Sequence, residues 1–267
     1  MEKMRKLFFV FAINCLALSV FAQSDGTSDA DLAKKAQNPV ANMYSLPFQN
    51  NTTFGVGPEN KTSNTLNIQP VIPIGLGDKV NLIVRTIIPI STVPDYSQTE
   101  TGSVTGLGDI SMSLFFTPKE AGKLVWGIGP IMDLPTRTDD LLGYGEFNIG
   151  PSVLVLQFKG KWVYGLTANN TWSVANDKVN KFYLQYFINY NLPKAWFISW
   201  QPIITANWNA EKGEEWLVPF GANVGKIVRF GKQPVNLQAG IYYNAIRPEQ
   251  AGEWQTRLMI NFLFPKK

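Results

Sequence analysis

The feature that most constrains this chain is a strict alternation of residue type with a period of two. Residues 254–264 show it best, because every second residue falls on one face: Trp254, Thr256, Leu258, Ile260, Phe262 and Phe264. The intervening positions are mainly polar: Gln255, Arg257, Met259, Asn261 and Leu263. Alternation over eleven residues predicts a β-strand with one face in an apolar medium.

Segments of this kind recur from about Met43 to the end of the chain. Twelve can be counted, at approximately 43–57, 66–74, 80–90, 106–116, 124–134, 146–157, 162–172, 179–192, 196–210, 215–228, 234–246 and 253–264. Strands of soluble proteins usually have five or six residues, whereas a tilted strand that spans a bilayer needs roughly 9–11. The lengths predict an all-β fold: a transmembrane antiparallel up-and-down β-barrel of about 12 strands, over 43–267.

The connections between these segments alternate in length. The connections 75–79, 117–123, 158–161, 193–195 and 229–233 are short, whereas 57–65, 91–105 and 135–145 are longer and polar. The remaining three, 173–178, 211–214 and 247–252, follow this rule only weakly. Short turns on the periplasmic side and longer loops outside are typical of outer-membrane barrels.

Tryptophan provides a second indication. All eight fall on the predicted outward face: Trp126, Trp162, Trp172, Trp196, Trp200, Trp208, Trp216 and Trp254. Trp162 and Trp172 are separated by roughly 33 Å along a strand, which a tilt near 40° projects to about 25 Å, the height of the apolar band between aromatic girdles. The alternative, a soluble sandwich with a tryptophan-rich core, would not use strands of this length.

The N-terminus has the pattern of an export signal. Lys3, Arg5 and Lys6 precede an apolar run at 7–20, and Ala22 stands at the expected cleavage position. This predicts a cleaved signal peptide over 1–22, whose removal also removes Cys15, the only cysteine; an uncleaved membrane anchor is the alternative. Residues 23–42 form an N-terminal lead-in, which is either a short helix over 29–37 that Asn38-Pro39 ends or a mobile segment.

Composition excludes several classes of function. The chain has no His, and its formal net charge of +4 comes without a basic run. A mature chain without His or Cys has no imidazole base, no thiolate nucleophile and no zinc site of the usual kind. Nucleic acid is not a predicted partner. We predict neither enzymatic activity nor a cofactor, since Asp139-Asp140 and Glu214-Glu215 lack the further ligands that calcium needs.

The inward face of the predicted barrel is polar but mostly uncharged. Sixteen inward residues are the candidate pore lining: Arg85, Asp109, Asp133, Glu146, Lys181, Tyr183, Gln185, Phe187, Asn189, Phe197, Gln201, Asn207, Asn223, Gln238, Tyr242 and Arg257. Such a lining requires water or a hydrogen-bonded filling. The charged members either select solutes or form a salt-bridge network that holds the wall together, and the aromatic members narrow the bore.

Several motifs resemble a known family. They are Gln37-Asn38-Pro39-Val40-Ala41-Asn42-Met43, Ser45-Leu46-Pro47-Phe48-Gln49-Asn50-Asn51, Asn67-Ile68-Gln69-Pro70-Val71-Ile72-Pro73, Arg85-Thr86-Ile87-Ile88-Pro89, Gly106-Leu107-Gly108-Asp109-Ile110 and Gln233-Pro234-Val235-Asn236-Leu237. They are similar to the MetA-pathway of phenol degradation family, whose members are bacterial outer-membrane barrels, some of them labelled transporters or neuromedin U. The resemblance covers nearly all of 30–267 and implies a transporter-like barrel for aromatic compounds, without catalytic residues.

These observations lead to one expectation about function and one alternative. We expect an outer-membrane channel for passive passage of small solutes, with membrane lipid and a small-molecule solute as its partners. The alternative is a non-conducting structural barrel, in which residues 23–42 and the inward aromatic side chains fill the lumen. A barrel enzyme is disfavoured because no His exists to complete a hydrolytic triad.

Overall fold

The structure, a computed structural model, describes residues 29–96, 102–120, 122 and 124–265. The predicted signal peptide lies outside these residues. One helix, α1, spans Asp29–Ala36. Fifteen strand segments follow: β1 Met43–Val56, β2 Lys61–Ile68, β3 Val71–Leu76, β4 Val80–Asp95, β5 Gly102–Leu107, β6 Ile110–Pro118, β7 Leu124–Leu134, β8 Asn148–Lys159, β9 Trp162–Ser173, β10 Asn180–Asn191, β11 Trp196–Trp200, β12 Ile203–Asn207, β13 Trp216–Phe230, β14 Gln233–Ile246 and β15 Trp254–Pro265.

The segments form one closed antiparallel barrel of twelve strands. Three strands are interrupted, so that β2 and β3, β5 and β6, and β11 and β12 each make one strand. Pro70 and Pro202 stand at two of the breaks, where a residue without an N–H cannot donate to the ladder. The third break is a bulge, because 108–110 lie opposite only two residues between Ile87 and Ile90. The pairing of β1 with β15 closes the barrel and confirms the predicted fold class.

The outward face is the apolar one, as predicted. Six of the eight tryptophan side chains are exposed and the other two are half-buried. Near the outer ends of the strands, Trp208 and Trp216 meet edge to face with ring centroids 5.3 Å apart, and Phe182 packs beside both. At the opposite end, Trp162 packs on Tyr190 at 4.6 Å. Two aromatic girdles therefore border the apolar band, as in transmembrane barrels. In the described part of the chain, no helix has the length and apolar content needed to cross a membrane.

The two faces of β10 allow a direct test of this arrangement. Leu184 and Gln185 are adjacent and hence point to opposite sides of the wall. We expect Leu184→Arg to cost roughly 2–4 kcal/mol, the range for a lipid-facing arginine at the bilayer midplane, whereas Gln185→Arg leaves the unfolding free energy nearly unchanged and alters passage. Urea unfolding in lipid vesicles measures both. Equal losses of stability would contradict a solvated lumen at this level.

Two of the three predicted long outer connections are wrong. The first is only 57–60, because β2 begins at Lys61, and the second is shortened to 96–101, because β4 continues to Asp95 and β5 begins at Gly102. The extra residues pair in register, with Asn64 opposite Thr92 and Thr92 opposite Thr105. Most of their side chains are polar, with Val93 opposite Val104 as an isolated apolar pair, so no hydrophobic alternation revealed these strand ends. The third connection, 135–147, is long and contains only a short 3₁₀ turn, Asp140–Leu142.

The direction of the barrel in the membrane can be tested on intact cells. The side chain of Leu141, in the long connection, is 48% exposed. A protease site inserted there should be cleaved from outside, whereas a site inserted after Lys159, in the two-residue turn between β8 and β9, should stay protected until the outer membrane is opened. Cleavage after Lys159 in intact cells would reverse the orientation. The site near Gln98 that the long connection 91–105 also suggests lies outside the described residues.

The inward face changes character along the barrel axis. Towards the outer loops it is polar, as predicted, but towards the short turns it forms two apolar clusters. The first contains Ile83, Phe115, Val125, Leu154, Leu156, Val163 and Phe187 together with Val40. The second contains Met43, Ala195, Phe197, Ile227 and Leu263 together with Leu32 and Ala33. The predicted polar lining therefore describes the half of the lumen towards the outer loops, whereas the half towards the short turns, which includes the inward Phe187 and Phe197, is packed like a protein core.

Candidate functional site: the lumen and its N-terminal closure

Helix α1 lies inside the end of the barrel that carries the short turns, which is the predicted periplasmic end, on one side of the lumen. Leu32 and Ala33 are each 1% exposed and pack against inward residues of the strands on that side. The helix ends at Ala36, and the Asn38 side chain accepts a hydrogen bond from the N–H of Val40 at 3.0 Å. Asn favours this local bond, and Pro39 cannot continue a helix. The chain therefore turns across the bore after one short helix.

Val40 carries the segment to the opposite side of the lumen. It is buried among inward residues of β4, β6, β7, β8 and β9, whereas α1 packs on β10, β13 and β14. Between them, Gln37 and Asn191 exchange two hydrogen bonds: Gln37 Nε2 donates to Asn191 Oδ1 at 3.0 Å, and Asn191 Nδ2 donates to Gln37 Oε1 at 3.2 Å. Residues 29–42, the N-terminal plug hereafter, thus cross the periplasmic opening from wall to wall.

Above the plug, the outer lumen contains a cavity of about 280 Å³. The connection 135–147 folds over it and contributes Leu142, Gly143 and Tyr144 to its lining. Asp109 fixes this connection by accepting backbone N–H groups from Arg137 at 3.3 Å, Tyr144 at 2.7 Å and Gly145 at 2.9 Å. Hydrogen bonds from backbone amides to a carboxylate are among the stronger kinds. The predicted inward carboxylate of Asp109 therefore holds the lid of the cavity.

A second cavity, of about 140 Å³, lies between the first and the plug. Its lining is rich in amides: Gln37, Asn38, Gln49, Gln69, Gln185, Asn189, Gln201, Gln238 and Asn261. Arg85 and Thr167 line both cavities. The described lumen is therefore a chain of two spaces that meet at Arg85, below which the plug closes the bore.

The two inward arginines have neutral partners. Arg85 Nη2 donates to Gln69 Oε1 at 2.8 Å. Arg257 donates to Asn51 Oδ1 and to the Gln201 carbonyl, both at 3.0 Å, and lies over the Tyr242 ring at 4.6 Å. The ion pairs found within the described ranges lie on the loops and at the rim, such as Lys178 with Glu146 and Arg247 with Glu253. The alternative of a salt-bridge network between lumenal arginines and acids is thus wrong for both arginines.

The structure distributes the sixteen predicted pore-lining residues over three places. The outer cavity is lined by Arg85, Asp109, Asp133, Lys181 and Tyr183. The amide-rich cavity is lined by Arg85, Gln185, Phe187, Asn189, Gln201 and Gln238. Neither cavity is lined by Glu146, Phe197, Asn207, Asn223, Tyr242 or Arg257.

Each of these six residues has another environment. Phe197 is fully buried in the cluster around α1. Asn223 donates to the Tyr242 hydroxyl at 2.6 Å, beneath Arg257. Asn207 ends β12. Glu146 lies at the rim, where hydrogen bonds from Lys178 and then Asn176 hold the pKa of its carboxyl below the ordinary value.

Several residues that line the lumen were not in the candidate set, and they differ in how far the sequence could identify them. Gln69 lies in the predicted strand 66–74, where alternation puts it on the inward face, whereas Gln37 and Val40 lie outside every strand pattern. The plug could be found only as a non-strand segment with helix-favouring residues. The inward reach of Leu142 and Tyr144 depends on the bonds to Asp109, which no local pattern predicts. No group of three or more potential metal-ligating side chains occurs among the residues that the structure describes.

Comparison with known proteins gives matches only in structure. No family model and no curated protein matches the sequence, so the family resemblance of the motifs is not confirmed at that level. The fold is similar to the COG4313 outer membrane channel from Pseudomonas putida F1, with a TM-score of 0.62 and 15% identity over 83% of this chain and 94% of that one. It is also similar to the NanC porin, with a TM-score of 0.52 and 8% identity over 83% of this chain and 100% of that one. The chain has the fold of bacterial outer-membrane channel barrels.

Proposed function

We propose that this protein is a passive channel of the bacterial outer membrane, exported by the signal peptide 1–22, with its periplasmic end closed by the N-terminal plug. The observation that carries this proposal is the nature of the closure. Two cavities follow each other down the lumen and meet at Arg85, and the element below them belongs to no strand of the barrel. A barrel whose lumen is filled only for stability would be filled by side chains of its own strands along its whole length, rather than closed by a separate segment.

The plug is held by contacts weak enough to be released. It joins the barrel covalently only at Met43, and its deeply buried apolar side chains are Leu32, Ala33 and Val40. Burial of Leu32 and Val40 contributes roughly 3–6 kcal/mol together. In the proposed mechanism, release of these few contacts gives an open state as a minor population, which a solute or a partner can increase.

The permeating solutes are small and carry both polar and apolar surface. Ile87, Pro89 and Ile131 share the lining of the outer cavity with Ser111, Asn169 and Lys181, so this lining suits an amphipathic molecule better than a purely polar one. Aromatic compounds, which the family resemblance implies, belong to this class. Membrane lipid around the girdles is the other partner.

Conductance in planar bilayers tests the closure directly. Gln37→Cys with Asn191→Cys places two thiols where the plug meets the wall, and cleavage of the predicted signal peptide leaves no native cysteine to interfere. Cross-linking the pair with a short bifunctional thiosulfonate should suppress channel openings, and reduction should restore them. Each single-cysteine variant, treated identically, is the control. Openings that persist in the cross-linked protein would show that conduction does not require movement of the plug.

The alternative function is a non-conducting structural barrel. The two apolar clusters at the periplasmic end favour it, because they pack as a dry core around the plug. The two functions differ in one measurement. A structural barrel stays silent when folded in membranes, whether the plug is free, cross-linked or removed.

A further inference from the structure

The middle of the lumen is positively charged, and within the described ranges its two arginines form no contact ion pair. Arg85 lies where the two cavities meet, and its described side-chain hydrogen bond goes to the neutral amide of Gln69. A guanidinium stays charged under all physiological conditions, and desolvating it is costly unless anionic partners compensate. The wall of the protein provides amides in place of such partners.

Arg257 adds a second positive charge near the middle of the lumen, although it is buried and lines neither cavity. It is 2% exposed, and its donors go to Asn51, Gln201 and Gln255 and, at 3.5 Å, to the Tyr242 hydroxyl. It lies on β15, the strand that also contributes Met259 and Asn261 to the amide-rich cavity. Because the surroundings are of low dielectric, its field acts on any charge that reaches the middle of the bore.

The inward carboxylates lie further out. Asp133 is opposite Ser111, which is opposite Ile87, and this row lies two residues beyond the row of Arg85 and Ser113. The carboxylate of Asp109 accepts hydrogen bonds from three backbone N–H groups of the connection 135–147. Lys181 lines the same cavity as both acids. The outer cavity is therefore mixed in charge, whereas the passage to the next cavity is cationic.

The lining next to Arg85 is apolar on one side. Ile87 and Pro89 follow Arg85 along β4, and Ile131 and Leu142 complete the apolar wall of the outer cavity. Tyr183 lies near Arg85 with its hydroxyl donating to Gln185 Oε1 at 3.0 Å. A volume of about 280 Å³ accommodates a molecule with a body of one small ring or a short alkyl chain.

We propose that the outer cavity binds small organic carboxylates with an apolar body, and that Arg85 is the residue that determines this specificity. The carboxylate accepts from the fork of Arg85, a geometry that a guanidinium offers and an ammonium does not. The apolar body lies against Ile87, Pro89, Ile131 and Leu142. The inference rests on the proposed channel function, because in an open channel a permeating solute must pass this binding site.

Equilibrium binding to the full-length barrel in detergent tests the site without requiring conduction. Benzoate, benzamide and benzylammonium share one body and differ in charge. Isothermal calorimetry should show benzoate binding at least about tenfold more tightly than benzamide, as a charge-assisted bidentate pair provides, with benzylammonium weakest. Arg85→Gln should remove the preference for benzoate, and Arg85→Lys should retain only part of it. Lys178→Gln, at the rim, is the matched control and should bind like the wild type.

A second variant guards against misfolding of Arg85→Gln. Ile87→Asp leaves the arginine in place and adds a negative charge two residues along the same wall, so it should weaken benzoate binding and strengthen benzylammonium binding. Equal affinity of the wild type for the three probes, or a benzoate preference that survives in folded Arg85→Gln, would overturn the proposal.

Reversal potentials separate this inference from the channel function. In a barrel lacking residues 23–42, a potassium benzoate gradient should give anion preference, and Arg85→Gln should abolish it. A silent barrel that still binds benzoate through Arg85 would remove the channel function and retain the site. Conduction without charge preference would retain the channel and overturn the site.

Discussion

Removal of residues 23–42 is expected to turn a mostly closed barrel into an open one. The deletion takes away α1, Gln37 and Val40, which together cross the periplasmic opening, while β1 keeps its full pairing with β2 and β15 from Met43 onward. Single-channel recordings should show long openings in place of rare ones. Resistance to denaturation by detergent, assayed by gel mobility with and without heating, should show that the barrel is still folded.

Point variants within the plug provide a matched comparison. Leu32→Ser and Val40→Ser remove apolar burial on the two sides of the lumen and should each raise the open probability, because a polar hydroxyl replaces a side chain in a dry cluster. Lys35→Ser alters an exposed residue of the same helix and should leave the open probability unchanged. Folded deletion and serine variants that conduct no more than the full-length chain would contradict a gating role and favour the structural barrel.

Substitution of Gly129 or Gly150 is expected to prevent folding of the barrel. A methyl group at Gly150 would overlap the backbone carbonyl of Asn170, and one at Gly129 would overlap that of Leu114. Neither glycine has positive φ, so the need for glycine is one of space between strands. Each glycine precedes a proline, Pro130 or Pro151, and lies at an irregularity in the pairing with the neighbouring strand, β6 or β9. Backbone atoms cannot rotate aside as side chains do.

We therefore expect Gly129→Ala and Gly150→Ala to exceed the roughly 1–3 kcal/mol of ordinary overpacking. The measurement is the fraction that refolds into lipid vesicles, followed by gel mobility and urea titration. Gly102→Ala is the control, since a methyl group there meets no atom within 4 Å. Normal refolding of either alanine variant at positions 129 and 150 would show that the two strands can separate locally without cost to the barrel.

Alternation made the wall of the barrel predictable. A lipid-facing surface must be apolar and a wet lumen is polar, so each spanning strand has the period-two pattern and the tryptophans mark its outward face. The pattern fails where both faces meet the same surroundings. The ends of β2, β4 and β5 are mostly polar on both sides, with Val93 and Val104 as an isolated apolar pair, so they have the sequence character of loops. Val153-Leu154-Val155-Leu156 is apolar on both sides, and such an uninterrupted run marks the level at which the lumen is dry.

The candidate site was less accessible from the sequence. Its residues come from strands far apart in the chain, and their roles depend on their hydrogen-bond partners. These partners are Gln69 for Arg85, Asn51 for Arg257 and the backbone N–H of Tyr144 for Asp109. Whether a side chain points into the lumen follows from the alternation along its own strand. Whether the inward arginines and acids of the described residues come close enough to pair depends on the position of each along the barrel axis. Strand tilt and the bulge at 108–110 determine that position.

The position of the plug imposes an order on assembly. Leu32 belongs to the first described element, yet it packs with Phe197, Ile227 and Leu263, residues that come together only after β13 and β15 have found their places. Contacts between such distant parts of the sequence form late, because the entropy of closing the intervening loop must be overcome first. We therefore expect the plug to dock last, although it comes first in the chain, so that a newly folded barrel passes through a stage in which the end with the short turns is open.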